Sequence, residues 1–291
     1  GKMGSRIIEN LLEKKQKVVV YTKNQNSIKK LGKKGAILVD SYEELAKKTG
    51  KQKTIFLMVP HGNPVDDVIK KLVPYLQKGD TIIDGGNSYY KNSIKRANKL
   101  SKKKINFLDT GISGGLDGAR NGASIMVGGN KKVFKKNEKI FKLLAVKNGY
   151  AYLGKSGAGH YAKMVHNAIE YSIMESYSEG FNLLEKSKFD FDMREVSKVY
   201  KNGSVIRSWL SDLLYSIFQT DPKLNKQSGI IGGGSTGTWA LNSAKEIKIK
   251  TPILKNSLEA RKKSFKKPDF GSKVVSALRK EFGGHIPPKK N

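Results

Sequence analysis

Gly1-Lys2-Met3-Gly4 opens the chain, a helical pattern follows over residues 5–15, and the apolar run Lys17-Val18-Val19-Val20-Tyr21 comes next. The reading of this stretch decides the fold. Glycine turn, helix, strand is the latter part of a βαβ unit, and the glycines fit the end of a G-x-G-x-x-G turn. Gly1 then stands where backbone must approach a pyrophosphate at a helix amino terminus, and Gly4 where the helix must lie close to a sheet. The first glycine and the strand before it are not in the sequence. The expectation is therefore a chain truncated at its amino end, with the first, central strand of the sheet missing.

Further short apolar runs follow at 54–59, Thr81–Asp84, 106–109 and 124–127. Strands covered on both faces read this way. Between them, Val65, Val68, Ile69, Leu72, Val73 and Leu76 recur at helical spacing over 64–77. Strands alternating with helices imply a parallel α/β sheet of Rossmann type. After about Leu153 the strand signal stops. A proline-free stretch, Ala158–Lys186, reads as one helix, and helical patterns continue at 193–200, 206–218, Pro252–Ser264 and 271–282. The expected organisation is a dinucleotide-binding α/β domain over 1–156 and an all-α domain over 157–291. The polar tail, residues 287–291, is expected to fray.

Composition narrows the function classes. The chain has 291 residues, no cysteine and a formal charge of +31. Absent cysteine excludes disulfides and fits a reducing, cytoplasmic setting. No run approaches the ~20 apolar residues of a membrane helix. The four histidines, His61, His160, His166 and His285, form no zinc pattern, so no metal is expected. The lysines are spread along the chain without an aromatic-rich basic stripe, which argues against nucleic acid despite the charge.

Where the 17–21 strand ends, an acid usually grips a ribose 2′-hydroxyl of NAD. Here the sequence is Tyr21-Thr22-Lys23-Asn24. A lysine welcomes a 2′-phosphate, so NADP is expected over NAD.

Three later segments carry chemistry. Asp84-Gly85-Gly86-Asn87-Ser88-Tyr89-Tyr90 ends an apolar strand, where open α/β sheets bind ligands. Its paired glycines allow close backbone approach. Asp109-Thr110-Gly111-Ile112-Ser113-Gly114-Gly115 ends another strand in a small-residue loop suited to a carboxylate. The third is Gly157-Ala158-Gly159-His160-Tyr161-Ala162-Lys163-Met164-Val165-His166-Asn167-Ala168-Ile169-Glu170-Tyr171. On a helix, Lys163, His166, Asn167 and Glu170 fall at i, i+3, i+4 and i+7 and share a face. Lys163 and Glu170 are then roughly 10 Å apart along the axis.

In combination and order, these segments resemble the signatures of the 6-phosphogluconate dehydrogenase family, in its shorter form, from residue 1 to at least His285. The resemblance implies oxidative decarboxylation of 6-phosphogluconate to ribulose 5-phosphate and CO₂ with NADP or NAD, in the pentose phosphate pathway. It implies Lys163 as general base and Glu170 as the acid that protonates C1. A neutral lysine is needed, and desolvation or nearby positive charge favours one. The sugar acid falls to Asn87, Ser113, Gly114, Gly115, His166 and Asn167, and its phosphate to Tyr171 and Arg261. The dinucleotide falls to Gly1, Met3, Gly4, Thr22, Lys23, Val59 and Asn87. Arg279 and His285, in Arg279-Lys280-Glu281-Phe282-Gly283-Gly284-His285, match a carboxyl-terminal element that reaches into a neighbouring subunit's site. A homodimer or larger even assembly is thereby implied.

One position departs. The family has a basic residue just before the tryptophan of Gly234-Ser235-Thr236-Gly237-Thr238-Trp239, and here it is Thr238. Losing a charge-assisted bond to phosphate costs ~1.5–3 kcal/mol. An alternative is therefore a related dehydrogenase of 3-hydroxy acids or of unphosphorylated sugar acids.

Overall fold

The computed structural model describes residues 1–286, so the tail expected to fray lies outside the described residues. The chain divides into two compact units, Gly1–Met164 and Val165–Asn291.

In the first unit the order is α1 (Lys2–Glu13), β1 (Val19–Val20), α2 (Lys29–Gly32), β2 (Ile37–Leu38), α3 (Tyr42–Lys48), β3 (Thr54–Leu57) and α4 (Asn63–Leu72). It continues with β4 (Thr81–Asp84), α5 (Tyr90–Ser101), β5 (Asn106–Ser113), α6 (Gly115–Asn121), β6 (Ala123–Gly129), α7 (Lys131–Leu144) and β7 (Ala145–Gly154). The described residues form two sheets: β1 pairs with β2, and β3-β4-β5-β6-β7 make the second. Strands β3, β4 and β5 run parallel, and Ile82, Ile83, Leu108 and Val127 are wholly buried in the sheet. Burial on both faces is what the apolar runs specify.

The sheet is not uniformly parallel, contrary to expectation, because β6 runs antiparallel to β5. The connection explains this. Seven-residue α6 advances only ~10 Å, too short to carry the chain back along eight-residue β5, which spans ~26 Å. Strand β7 was not anticipated. Its middle, Lys147-Asn148-Gly149, is polar, Asn148 has φ +60°, and the pairing with β6 is irregular. The 109–115 segment, expected as a loop, is strand to Ser113 and helix from Gly115.

Helix α8 (Ala158–Lys186) begins in the first unit and ends in the second. The second unit continues with α9 (Met193–Lys201), α10 (Trp209–Thr220), α11 (Ser235–Glu246), α12 (Pro252–Ser264) and α13 (Phe270–Gly283). It is all-helical, as expected. Helix α10 starts at Trp209 instead of residue 206 because Ser208 and Ser211 form a reciprocal capping box. Asp269 and Ser272 do the same for α13. Phe181 of α8 stacks on Phe218 of α10 at 5.1 Å between centroids, both buried. Where α13 crosses α8, Gly271 lies so close that a Cβ there would sit 2.4 Å from the Ser178 carbonyl oxygen.

Candidate active site

In the first unit, the expected dinucleotide residues lie at the carboxyl ends of parallel strands and the start of α1. Helix α1 has Gly1 at its N-cap and no side-chain cap, so its first amides point outward, as an anion needs. Met3 is half-buried, and a Cβ on Gly4 would meet Met58 at 3.4 Å, which fits a helix laid closely on the sheet. Thr22 follows β1 half-buried, and Lys23 beside it is exposed. Val59 follows β3, and exposed Asn87 follows β4. These residues fit a nicotinamide dinucleotide: an uncapped helix amino terminus for the pyrophosphate, and a cation rather than an acid after β1.

The loop that presents Asn87 is held from beneath. Asp84 is fully buried, and its carboxylate accepts from the Ser88 hydroxyl at 2.8 Å and the Gly86 amide at 3.1 Å. Buried Arg96 lies 3.5 Å from Asp84 and donates to both carboxylate oxygens of Asp66 at 2.8 and 2.9 Å. The paired glycines do allow a close approach, but to protein. A Cβ on Gly85 would lie 2.3 Å from the Phe56 ring, and one on Gly86 2.8 Å from the Val59 carbonyl oxygen.

Lys163 is positioned by the strands under α8. Gly111 of β5 faces it so closely that a Cβ there would lie 2.3 Å from Lys163 Cβ. Gly159 is pressed between the carbonyls of Asp109 and Met126. Asp109, wholly buried on β5, accepts from the amides of Gly157 at 2.7 Å and His160 at 3.0 Å. It thus serves the start of α8 as a capping carboxylate, a role the sequence reading missed. Helix caps are sought next to the helix, and this one lies 48 residues upstream. His160 is buried with Nδ1 2.7 Å from the Ser93 hydroxyl. Lys163 itself is buried at 9% exposure. Ser113, Gly114 and Gly115 lie half-buried at the junction of β5 and α6, with Gly114 at φ +116°.

In the second unit, α8 continues with His166, Asn167, Glu170 and Tyr171. His166 Nδ1 is 3.1 Å from Asn167 Oδ1 and 3.8 Å from Glu170 Oε2, so these three polar groups gather on one side of the helix. The Arg261 guanidinium of α12 lies over the Tyr171 ring at 3.7 Å, both buried. Arg261 Nη1 donates to the Gly232 carbonyl at 3.2 Å, while its buried Nη2 has no hydrogen-bond partner. Burial lowers the Arg261 pKa to about 10, the Tyr171 ring offsets part of this, and Arg279 lowers it further. Burial also lowers that of Arg279. Glu175, one turn beyond Tyr171, is pushed up to about 7 by burial and then by Glu179, with Arg261 opposing.

Arg279 Nη2 lies 3.2 Å from where a Cβ on Gly233 would be. His285 is exposed, its ring edge-on to Phe282 at 6.1 Å. Thr238 is exposed, and its hydroxyl donates to the Gly234 carbonyl at 3.1 Å. Among the described residues no cluster of three His, Cys, Asp or Glu could hold a metal, and no helix is long and apolar enough to cross a membrane.

An α/β unit that offers an uncapped helix start to a dinucleotide, followed by helices bearing ordered polar groups, defines a dinucleotide-dependent oxidoreductase. Residues 1–154 match the NAD binding domain of 6-phosphogluconate dehydrogenase, and residues 159–282 match that enzyme's C-terminal domain. The chain belongs to the 6-phosphogluconate dehydrogenase family. It is 43% identical over its whole length to YqeC of Bacillus subtilis (strain 168), a protein given the 6-phosphogluconate dehydrogenase name provisionally, and spans 97% of it. It is 36% identical to the NAD(+)-dependent, decarboxylating 6-phosphogluconate dehydrogenase of Haloferax volcanii, again over 100% of this chain and 97% of the relative. Among solved structures, Plasmodium falciparum 6-phosphogluconate dehydrogenase, described with NADP+ and with 6-phosphogluconate, superposes with a TM-score of 0.82 at 30% identity. That match covers 91% of this chain and 60% of the Plasmodium chain.

Proposed function

We propose that this protein oxidises and decarboxylates 6-phosphogluconate to ribulose 5-phosphate and CO₂. The dinucleotide, when bound, accepts the hydride that leaves C3. Lys163 takes the proton of the C3 hydroxyl in that step. Once protonated, it polarises the new ketone and stabilises the charge that develops as CO₂ departs. Glu170 then delivers a proton to C1 of the enediol. Both groups ride on α8. By the family resemblance, Asn87, Ser113, Gly114, Gly115, His166 and Asn167 orient the sugar acid. Gly1, Met3, Gly4, Thr22, Lys23, Val59 and Asn87 hold the dinucleotide. Lys23 favours NADP, with NAD the other candidate.

The observation that carries this reading is Arg261. A buried guanidinium, flat on an aromatic ring and with an unpartnered donor, is costly unless an anion completes it. A phosphate bound there accounts for that donor. Val165, Ile169 and Ile173, four residues apart on α8, are 38%, 56% and 42% exposed. An apolar stripe of this kind supports a homodimer in which a second copy covers it. A cytoplasmic location and no role for nucleic acid complete the proposal.

The test is spectrophotometric. Reduction of NADP and of NAD is followed with 6-phosphogluconate, gluconate and 3-hydroxyisobutyrate side by side. Turnover restricted to the phosphorylated substrate, and lost in Lys163→Ala with dinucleotide binding retained, is expected. Faster turnover of gluconate or 3-hydroxyisobutyrate overturns the assignment.

A further inference from the structure

Within the first unit, the opening turns of α5 and α8 pack on one another through three matched pairs. The Tyr90 ring meets Tyr161 edge-on at 4.9 Å between centroids. Ile94 lies so close to Gly157 that a Cβ there would sit 2.7 Å from it. Between these apolar contacts, the Ser93 hydroxyl is 2.7 Å from His160 Nδ1, and both residues are buried. On each side the three members fall at i, i+3 and i+4, which is one stripe. Apolar contacts tolerate a small slide. A buried polar pair does not, because a shift leaves donor and acceptor facing carbon. Ser93 and His160 therefore set the register of the two helices.

The direction of their hydrogen bond follows from the surroundings. Ser93 Oγ also lies 3.4 Å from the Tyr89 carbonyl oxygen, to which it donates. His160 Nε2 is buried without a hydrogen-bond partner. Were the ring hydrogen on Nε2, a buried N–H would have no acceptor. With it on Nδ1, only a lone pair goes unused, and that costs less. Nδ1–H then donates to the Ser93 hydroxyl, which donates onward to the Tyr89 carbonyl. Both ends of this relay lie beside residues of the proposed reaction. Tyr89 is two residues after Asn87, in the loop that Asp84 supports from beneath. Lys163 is one turn after His160, whose own amide is held by Asp109 of β5.

We infer that His160 is a positioning residue, tying the Asn87 loop through Ser93 to the turn of α8 that carries Lys163. The separation between the residue that meets dinucleotide and sugar acid and the residue that takes the proton is thereby fixed. This rests on the proposed function for the roles of Asn87 and Lys163. It adds a buried pair to which that reading assigns no part.

Two substitutions at one position test it. His160→Asn keeps a donor near the place of Nδ1, and His160→Leu removes it. In His160→Leu and in Ser93→Ala, kcat for 6-phosphogluconate is expected to fall about 10- to 100-fold, as a misplacement of ~1 Å can cause. Dinucleotide affinity, read by fluorescence titration, is expected to change little, and His160→Asn to recover most of the lost kcat. Unaltered kcat in His160→Leu overturns the inference, and so does an equal loss in His160→Asn. Nitrogen-15 NMR of wild-type protein with labelled histidine gives a readout independent of turnover. Hydrogen on Nδ1 and a bare Nε2 are expected, and the opposite tautomer overturns the relay. If the variants do not fold, the tautomer decides alone. Wild-type protein that shows the expected tautomer but does not oxidise 6-phosphogluconate sinks only the substrate assignment, and the variants are then compared on whichever of gluconate or 3-hydroxyisobutyrate is turned over.

Discussion

The carboxylate of Asp109 receives the backbone amide of His160 at 3.0 Å, which ties the middle of β5 to the first turn of α8. Its other oxygen takes the Gly157 amide. Asp109→Ala is expected to leave both amides buried without acceptors and to lower stability by about 2 kcal/mol. Urea unfolding of the variant checks this, and an unchanged midpoint would show that α8 starts without help from β5.

Gly111 makes a sharper demand. Any side chain there meets Lys163 Cβ at 2.3 Å and the Gly159 carbonyl at 3.0 Å. Gly111→Ala should cost about 1–3 kcal/mol and displace the lysine. The expected signature is a fall in kcat larger than any fall in dinucleotide affinity. Equal kcat in variant and wild type would mean that the lysine's position is not set by this contact.

Lys23 stands exposed after β1. An exposed charge contributes about 1 kcal/mol or less, so Lys23→Asp should shift the NADP-to-NAD ratio of kcat/KM toward NAD by up to roughly fivefold. Steady-state kinetics with both dinucleotides read this out, and an unmoved ratio removes Lys23 from cofactor choice.

Glu175 gives a stability that varies with pH. Its folded pKa, about 7, lies above the ordinary 4.5. Between those values the folded chain holds a proton that the unfolded chain has released, so stability falls as pH rises through that window. Because the group is only partly buried, we expect a modest effect. Glu175→Gln should be more stable than wild type by about 1–2 kcal/mol at pH 8, with most of that difference gone at pH 5. Thermal unfolding across this range checks the sign, and a variant less stable at pH 8 contradicts it.

The parts of the fold that were legible in the sequence are those written in local periodicity. The proline-free run from Ala158 to Lys186 is one helix, and Thr81-Ile82-Ile83-Asp84 is a buried strand. What local pattern does not contain went unread. Helix α11 carries Gly237 in its first turn, where a Cβ would press at 2.9 Å on Leu258 and Tyr171, so its buried face is built from small residues rather than an apolar stripe. The reversal of β6 follows from how short α6 is, not from any residue within β6. In the candidate site, the grouping of His166, Asn167 and Glu170 follows from helical spacing. The stacking of Arg261 on Tyr171 joins residues 90 positions apart, which resemblance names only as phosphate ligands.

Helix α8 runs unbroken from Ala158 to Lys186, through the point where one unit gives way to the next. The axial offset of Lys163 from Glu170 is therefore dictated by peptide geometry, at 1.5 Å per residue over seven steps. Changes in the loops of either unit would leave that stride unaltered, whereas inserting a single residue between Lys163 and Glu170 would swing one away from the other by about 100°.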